Sequence, residues 1–86
     1  MLSVHPHALK HGLAPEDIGA AFSSGQDAAM LVDEDPPRWL MVGFDTAGRT
    51  VELVVIEQAS GGYLVIHAMK ARKTSIRQLR RAEEER

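Results

Sequence analysis

The sequence predicts a small α+β protein: two N-terminal helices, a four-stranded antiparallel sheet and a C-terminal helix, with the helices packed on one face of the sheet. Three observations carry this. Four short apolar runs follow one another with turn residues between them. Apolar spacing of helical period occurs only before and after those runs. The chain has 86 residues, which fits one domain spanning residues 1–86 that buries roughly 60–65% of its unfolded surface.

Each element has a local reason. His5 to Lys10 reads as a short helical turn, stopped by Gly12. The segment LAPEDIGAAF is the second helix. Pro15 suits its first position, and Glu16 and Asp17 suit the positive end of its dipole. Ile18, Ala21 and Phe22 fall on one apolar stripe. Ala14 is a weak N-cap, and Ser23-Ser24-Gly25 ends the helix. Ala28 to Val32 is the first strand, followed by the charged turn Asp33-Glu34-Asp35-Pro36-Pro37. Trp39 to Phe44 is the second. Asp45 to Arg49 is a hairpin loop in which Gly48 can supply φ > 0. Val51 to Glu57 is the third strand, and its unbroken apolar run from Leu53 to Ile56 predicts a central strand covered on both faces. Ser60-Gly61-Gly62 is a tight turn before the fourth strand, Tyr63 to Met69. Short connections make these strands an antiparallel meander. In the last segment Ile76, Leu79 and Ala82 form a narrow apolar stripe, with Thr74 or Ser75 as its cap. Glu83, Glu84 and Glu85 oppose the dipole there, so residues 83–86 should fray.

Composition is ordinary for a globular domain, at 44% hydrophobic and 26% charged residues. There is no cysteine, which excludes disulfides and thiolate chemistry. No apolar run approaches the ~18–20 residues of a membrane span, and MLSVHPHALKHG lacks the pattern of a secretion signal. A cytoplasmic location and no membrane partner are expected.

The net charge is −2, but it is segregated. From His11 to Pro37 there are six acids (Glu16, Asp17, Asp27, Asp33, Glu34, Asp35) and no Lys or Arg. From Gln58 to Ala82 there are six bases (Lys70, Arg72, Lys73, Arg77, Arg80, Arg81) and no acid. Either the two segments neutralise each other or the second makes a local positive field.

The stretch YLVIHAMKARKTSIRQLRR, Tyr63 to Arg81, carries most of the functional signal. A strand with one histidine, His67, runs directly into the basic cluster. Strand alternation puts Tyr63, Val65, His67 and Met69 on one face and Leu64, Ile66 and Ala68 on the other. The second set is purely apolar and should face the helices, leaving Tyr63 and His67 on the open face. His67 then reads either as a catalytic imidazole or as a hydrogen-bonded strand histidine. Arg77, Arg80 and Arg81 read either as nucleic-acid contacts or as a solvated helix face. Trp39 is core or interface, and would stack on bases only if exposed. His5, His7 and His11 do not predict a metal site: no carboxylate lies at ligand spacing, and Pro6 and Gly12 shorten the helix. Gly61-Gly62 is not a phosphate loop, since no helix follows it. No cofactor motif is present.

Three strings carry a family resemblance: Lys10-His11-Gly12 before the LAPEDI helix, Gly43 through Gly48-Arg49 before VELVVIE, and VIHAMKARK before the last helix. With the order of elements, these resemble the BrnT-like toxins of the RelE/ParE superfamily, which are bacterial ribonuclease toxins paired with an antitoxin. The resemblance implies a RelE-like fold, a metal-independent endoribonuclease that inhibits translation, and no cofactor. It implies as partners a cognate antitoxin, RNA (ribosome-bound mRNA included) and a second copy in a homodimer. Such cleavage needs a base for the ribose 2′-hydroxyl, an acid for the departing 5′-oxygen, and cations for the phosphate. The expected catalytic residues are His67, Arg72 and Lys70. Lys73, Arg77, Lys10, His11 and Tyr63 are the expected RNA contacts. A non-catalytic binding or homodimerisation module of the same fold, and a gyrase inhibitor of ParE type, are the alternatives.

Overall fold

The computed structural model describes residues 2–25, 27–31 and 37–84. In chain order they form β1 (Leu2–Val4), a single 3₁₀ turn (Pro6–Leu9), α1 (Pro15–Ser24), β2 (Asp27–Leu31), β3 (Arg38–Phe44), β4 (Thr50–Glu57), β5 (Tyr63–Lys70) and α2 (Lys73–Glu84). The class is α+β, as expected. β2 through β5 form the antiparallel meander.

Three details differ from the sequence reading. The sheet has five strands rather than four, in the order β1-β5-β4-β3-β2, because β1 joins the free edge of β5. It does so in parallel, matching Leu2 with Tyr63 and Val4 with Val65. Three residues are too few to show a strand period, and an edge that would otherwise leave its N–H and C=O groups unpaired decides the matter. Secondly, His5 to Lys10 is not an α-helix. The His5 imidazole caps the 3₁₀ turn, its Nδ1 accepting the His7 N–H at 3.1 Å, and Gly12 then turns the chain at φ 84°. Thirdly, the helices lie on opposite faces of the sheet. The apolar run of β4 has two sides to cover, as its continuity indicates.

α1 covers one face. Ile18 and Ala21 are fully buried against Val51, Leu53, Val55, Val65 and Ala68, with Ala8 of the 3₁₀ turn in the same cluster. Phe22 packs at its margin and meets the Tyr63 ring at 5.4 Å. The helix lies directly on β3: a Cβ on Gly43 would collide with the Ala21 carbonyl oxygen. Ser24 fastens its end, accepting the Phe44 N–H at 2.8 Å while donating to the Ala20 carbonyl at 2.8 Å. At its start Ala14 makes no side-chain cap, and Asp17 instead accepts both the N–H and the hydroxyl of Thr46.

α2 covers part of the other face, where Leu79 packs on Ala29 and Leu40 with Ala82 beside it. It lies over β2 and β3, so Ile56, Leu64 and His67 on the β4–β5 side stay partly exposed. The helix begins at Lys73, so Thr74 and Ser75 stand inside it rather than capping it; the Arg72 carbonyl accepts the first helical N–H, from Ile76. The helix runs to Glu84, with Leu79 and Ala82 packed toward the sheet; residues 85 and 86 of the expected frayed tail lie outside the described residues. Val32 and the acidic turn of Asp33, Glu34 and Asp35 lie outside the described residues, as does any pairing of that turn with the basic strip.

Register decides which side chains share a face. Val54 pairs with His67, yet the next residue of β4, Val55, pairs with Val65. Ile66 is therefore an extra residue in β5, a β-bulge that interrupts alternation. Tyr63, Val65, Ala68 and Lys70 belong to the α1 face, and Leu64, His67 and Met69 to the α2 face. The expectation that Tyr63 and His67 share a face is thus corrected: the bulge carries them to opposite sides.

Candidate functional site

The site is built around an acid. Glu52 is the second residue of the TVELVVIE strand with its side chain on the α2 face, paired with Val42 and Met69. It is completely buried. A buried carboxylate must be matched by donors, and Glu52 receives five. Oε1 accepts the backbone N–H of Arg72 at 2.9 Å, Arg72 Nε at 3.0 Å and the Ser75 hydroxyl at 2.8 Å. Oε2 accepts Arg72 Nη2 at 2.9 Å and lies 2.9 Å from His67 Nε2. Burial by itself would raise the pKa of Glu52. The Arg72 guanidinium and N–H outweigh it, with help from His67 and Ser75, and hold the group at about 2. Glu52 is therefore an anion, and the same contact pushes the Arg72 guanidinium further toward its charged form.

Local structure explains why these groups meet. β4 and β5 are adjacent antiparallel strands, so Glu52 and His67 sit on one face one position apart along the ladder. Ala71 donates its N–H to the Thr50 carbonyl, which continues the ladder one residue past β5. Arg72 then leaves the sheet with its N–H aimed at Glu52, and Ser75 follows one helical turn later with a buried hydroxyl.

His67 keeps 24% of its side-chain surface and Arg72 56%, so the carboxylate is hidden while its two partners remain accessible. Because Glu52 is ionised, the neutral His67 ring must carry its hydrogen on Nε2, which leaves the Nδ1 lone pair free to accept a proton. The His11 ring, in the loop after the 3₁₀ turn, meets the His67 ring edge to face with centroids 5.7 Å apart.

The expected catalytic residues His67 and Arg72 are thus brought together, on one carboxylate oxygen. Lys70 is exposed at the same end of the sheet but belongs to the opposite face, paired with Val51. There it borders an open groove of about 600 Å³ with Arg49, Leu13 and Ile76. Lys73 and Arg77 are exposed on α2, and Lys10 is exposed beside His11. Tyr63 stands apart, on the α1 face against Phe22. A second anchored acid, Asp45, shapes the groove. It accepts Arg49 Nε at 2.7 Å and the N–H groups of Arg49 and Ala47. Burial would raise its pKa, but these donors hold it below the ordinary carboxylate value.

Glu52 was not among the residues expected from sequence. The one trace it leaves is an acid interrupting an apolar strand, in TVELVVIE. It lies in neither of the two segregated charge segments, yet it supplies the partner of Arg72. Ser75, one of the two residues the sequence offers as the helix cap, instead donates its hydroxyl to Glu52 Oε1.

Among the described residues no group of His, Asp or Glu is arranged to hold a metal ion. No protein-family model, curated protein or solved structure matches the chain. No helix among the described residues is long and apolar enough to cross a membrane.

Proposed function

We propose that this chain is a BrnT-like toxin of the RelE/ParE superfamily, the RNA-cleaving member of a type II toxin–antitoxin pair acting in the cytoplasm without a metal. One observation supports it above the rest: a single buried carboxylate oxygen, Glu52 Oε2, engages both His67 and Arg72 while those two side chains stay open to solvent. In this reading Glu52 is a positioning residue. It fixes the ring and tautomer of His67, and Nδ1 of His67 takes the proton of a ribose 2′-hydroxyl. Arg72 is held at the entrance to α2, where its remaining N–H donors stabilise a phosphate as charge develops on it. The exposed Lys70, Lys73, Arg77 and Lys10 contact the RNA backbone, whose substrates include ribosome-bound mRNA. The antitoxin, and a second copy in a homodimer, are the protein partners.

A different reading has its own support. Four of the five donors at Glu52, the three of Arg72 and the Ser75 hydroxyl, also tie the start of α2 to β4, which is what a structural clasp in a non-catalytic binding module, or in a gyrase inhibitor of ParE type, would do. Inducible expression in a bacterial host, with and without the adjacent gene product, separates these when combined with cleavage of purified transcripts in the presence of a chelator. The nuclease reading expects growth arrest, relief by the antitoxin, and cleavage abolished by His67→Ala with Arg72→Ala. Intact transcripts across many sequences would sink it.

A further inference from the structure

We propose that His11 is the general acid of this site, giving its proton to the departing 5′-oxygen while His67, backed by Glu52, takes the proton of the attacking 2′-hydroxyl. The inference rests on the endoribonuclease reading and fills the one role that reading leaves without a residue.

The two imidazoles meet with ring centroids 5.7 Å apart and ring planes at 75°. They are held differently. His67 is fixed on β5 and engaged at Nε2 by a buried anion. His11 follows a 3₁₀ turn that packs along β5, is exposed, and among the described residues has no hydrogen bond at either ring nitrogen. A ring with one nitrogen committed to a carboxylate is set up to accept a proton at the other. A ring facing solvent, with no carboxylate of its own, can be reloaded with a proton after each turnover. Attack by a 2′-oxygen and departure of a 5′-oxygen occur on opposite sides of the phosphorus. One imidazole cannot serve both at once, whereas two within a few ångströms can. Arg72 is held on the same carboxylate oxygen as His67, and its remaining N–H donors would neutralise a phosphate bound beside that ring.

The step balances without a further reactant. The 2′-O–H proton passes to His67 Nδ1, and a bond forms between O2′ and phosphorus. The bond from phosphorus to O5′ breaks, and the 5′-oxygen takes the proton from His11. The products are a 2′,3′-cyclic phosphate and a 5′-hydroxyl, and exchange with water returns the proton from His67 to His11. The substrate must therefore carry a 2′-hydroxyl at the cleaved position.

The leaving group provides the test. The purified full chain, His11→Ala and His67→Ala are each assayed on an oligoribonucleotide and on a uridine 3′-(4-nitrophenyl phosphate), whose nitrophenolate departs without needing a proton. The expected result is that H11A loses about 10²–10⁴-fold on the oligonucleotide and less than about tenfold on the aryl ester, while H67A loses heavily on both. His11 is exposed, so H11A should keep the wild-type denaturation midpoint, and His11→Asn serves as a second variant. Equal losses of H11A on the two substrates, or no loss on the oligonucleotide, would overturn the assignment while leaving the nuclease reading intact. An unreactive wild type on both substrates overturns the nuclease reading and this inference together. A wild-type product lacking the 2′,3′-cyclic phosphate overturns this chemistry alone.

Discussion

His67 Nε2 lies 2.9 Å from Oε2 of Glu52, a carboxylate with no solvent exposure, on the neighbouring strand. The pair joins a side chain that water reaches to one that it does not. It also sets the ring orientation of His67 from inside the protein rather than from the surface.

Removing the buried charge should be costly. Glu52→Gln keeps the shape but leaves Arg72 and His67 without their anion, and gives one amide oxygen for sites that now take five donors. We expect a loss of about 3 kcal/mol in urea denaturation, in the range for breaking one side of a buried ion pair. A loss below about 0.5 kcal/mol would show that Glu52 does not hold α2 to the sheet.

Acid should reproduce that loss by titration. The ordinary value of Glu52, 4.5, applies to the unfolded chain, and the folded value is about 2. The unfolded state binds the extra proton first, so the stabilisation is complete above about pH 4.5 and disappears as pH falls toward 2. Asp45 is depressed in the same direction, so the wild-type curve alone mixes the two. The difference between wild type and E52Q isolates Glu52. It should shrink as pH drops through that window, and a difference that is flat from pH 6 to 2.5 counts against the assignment.

Arg72→Lys keeps a positive charge but not the fork that reaches both oxygens of Glu52. On the nuclease reading, cleavage should fall by roughly 10²-fold or more, nearly as far as in Arg72→Ala. Single-turnover rates at saturating RNA measure this, and full activity of R72K would mean that charge alone suffices.

Gly43 sits under α1 with no room for a methyl group, since its Cβ would meet the Ala21 carbonyl. Backbone cannot yield as a flexible side chain can. Gly43→Ala should destabilise by roughly 2–3 kcal/mol through overpacking, read as a drop in the thermal midpoint. An unchanged midpoint would mean that α1 can slide on β3 at little cost.

Deletions test the bulge. Removing Ile66 restores a regular ladder and leaves Val65 and His67 on their present faces. It should therefore preserve folding. Removing Ala68 instead flips Met69 and Lys70 to the wrong sides and takes a fully buried residue from the α1 core. The Ala68 deletion should abolish cooperative unfolding, measured by circular dichroism, and the Ile66 deletion should not.

What the sequence determined by itself was local and periodic. Apolar alternation and short turns are properties of neighbouring residues, so the meander of β2 to β5, the α1 stripe of Ile18, Ala21 and Phe22, and the turn at Gly48 (φ 80°) were all legible. So was the promise of His67 and Arg72, because a histidine followed by a basic run is visible in one dimension. The tertiary structure decided the rest, for reasons of register and burial. The unpaired residue Ile66 has no sequence mark, yet it moves His67 away from Tyr63 and onto the face of Glu52. β1 is defined only by the edge of β5. The importance of Glu52 depends on being desolvated and on donors up to 23 positions away along the chain. An acid in an apolar strand announces a burial problem. Only the packing of α2 against the sheet shows that Arg72, Ser75 and His67 are its solution.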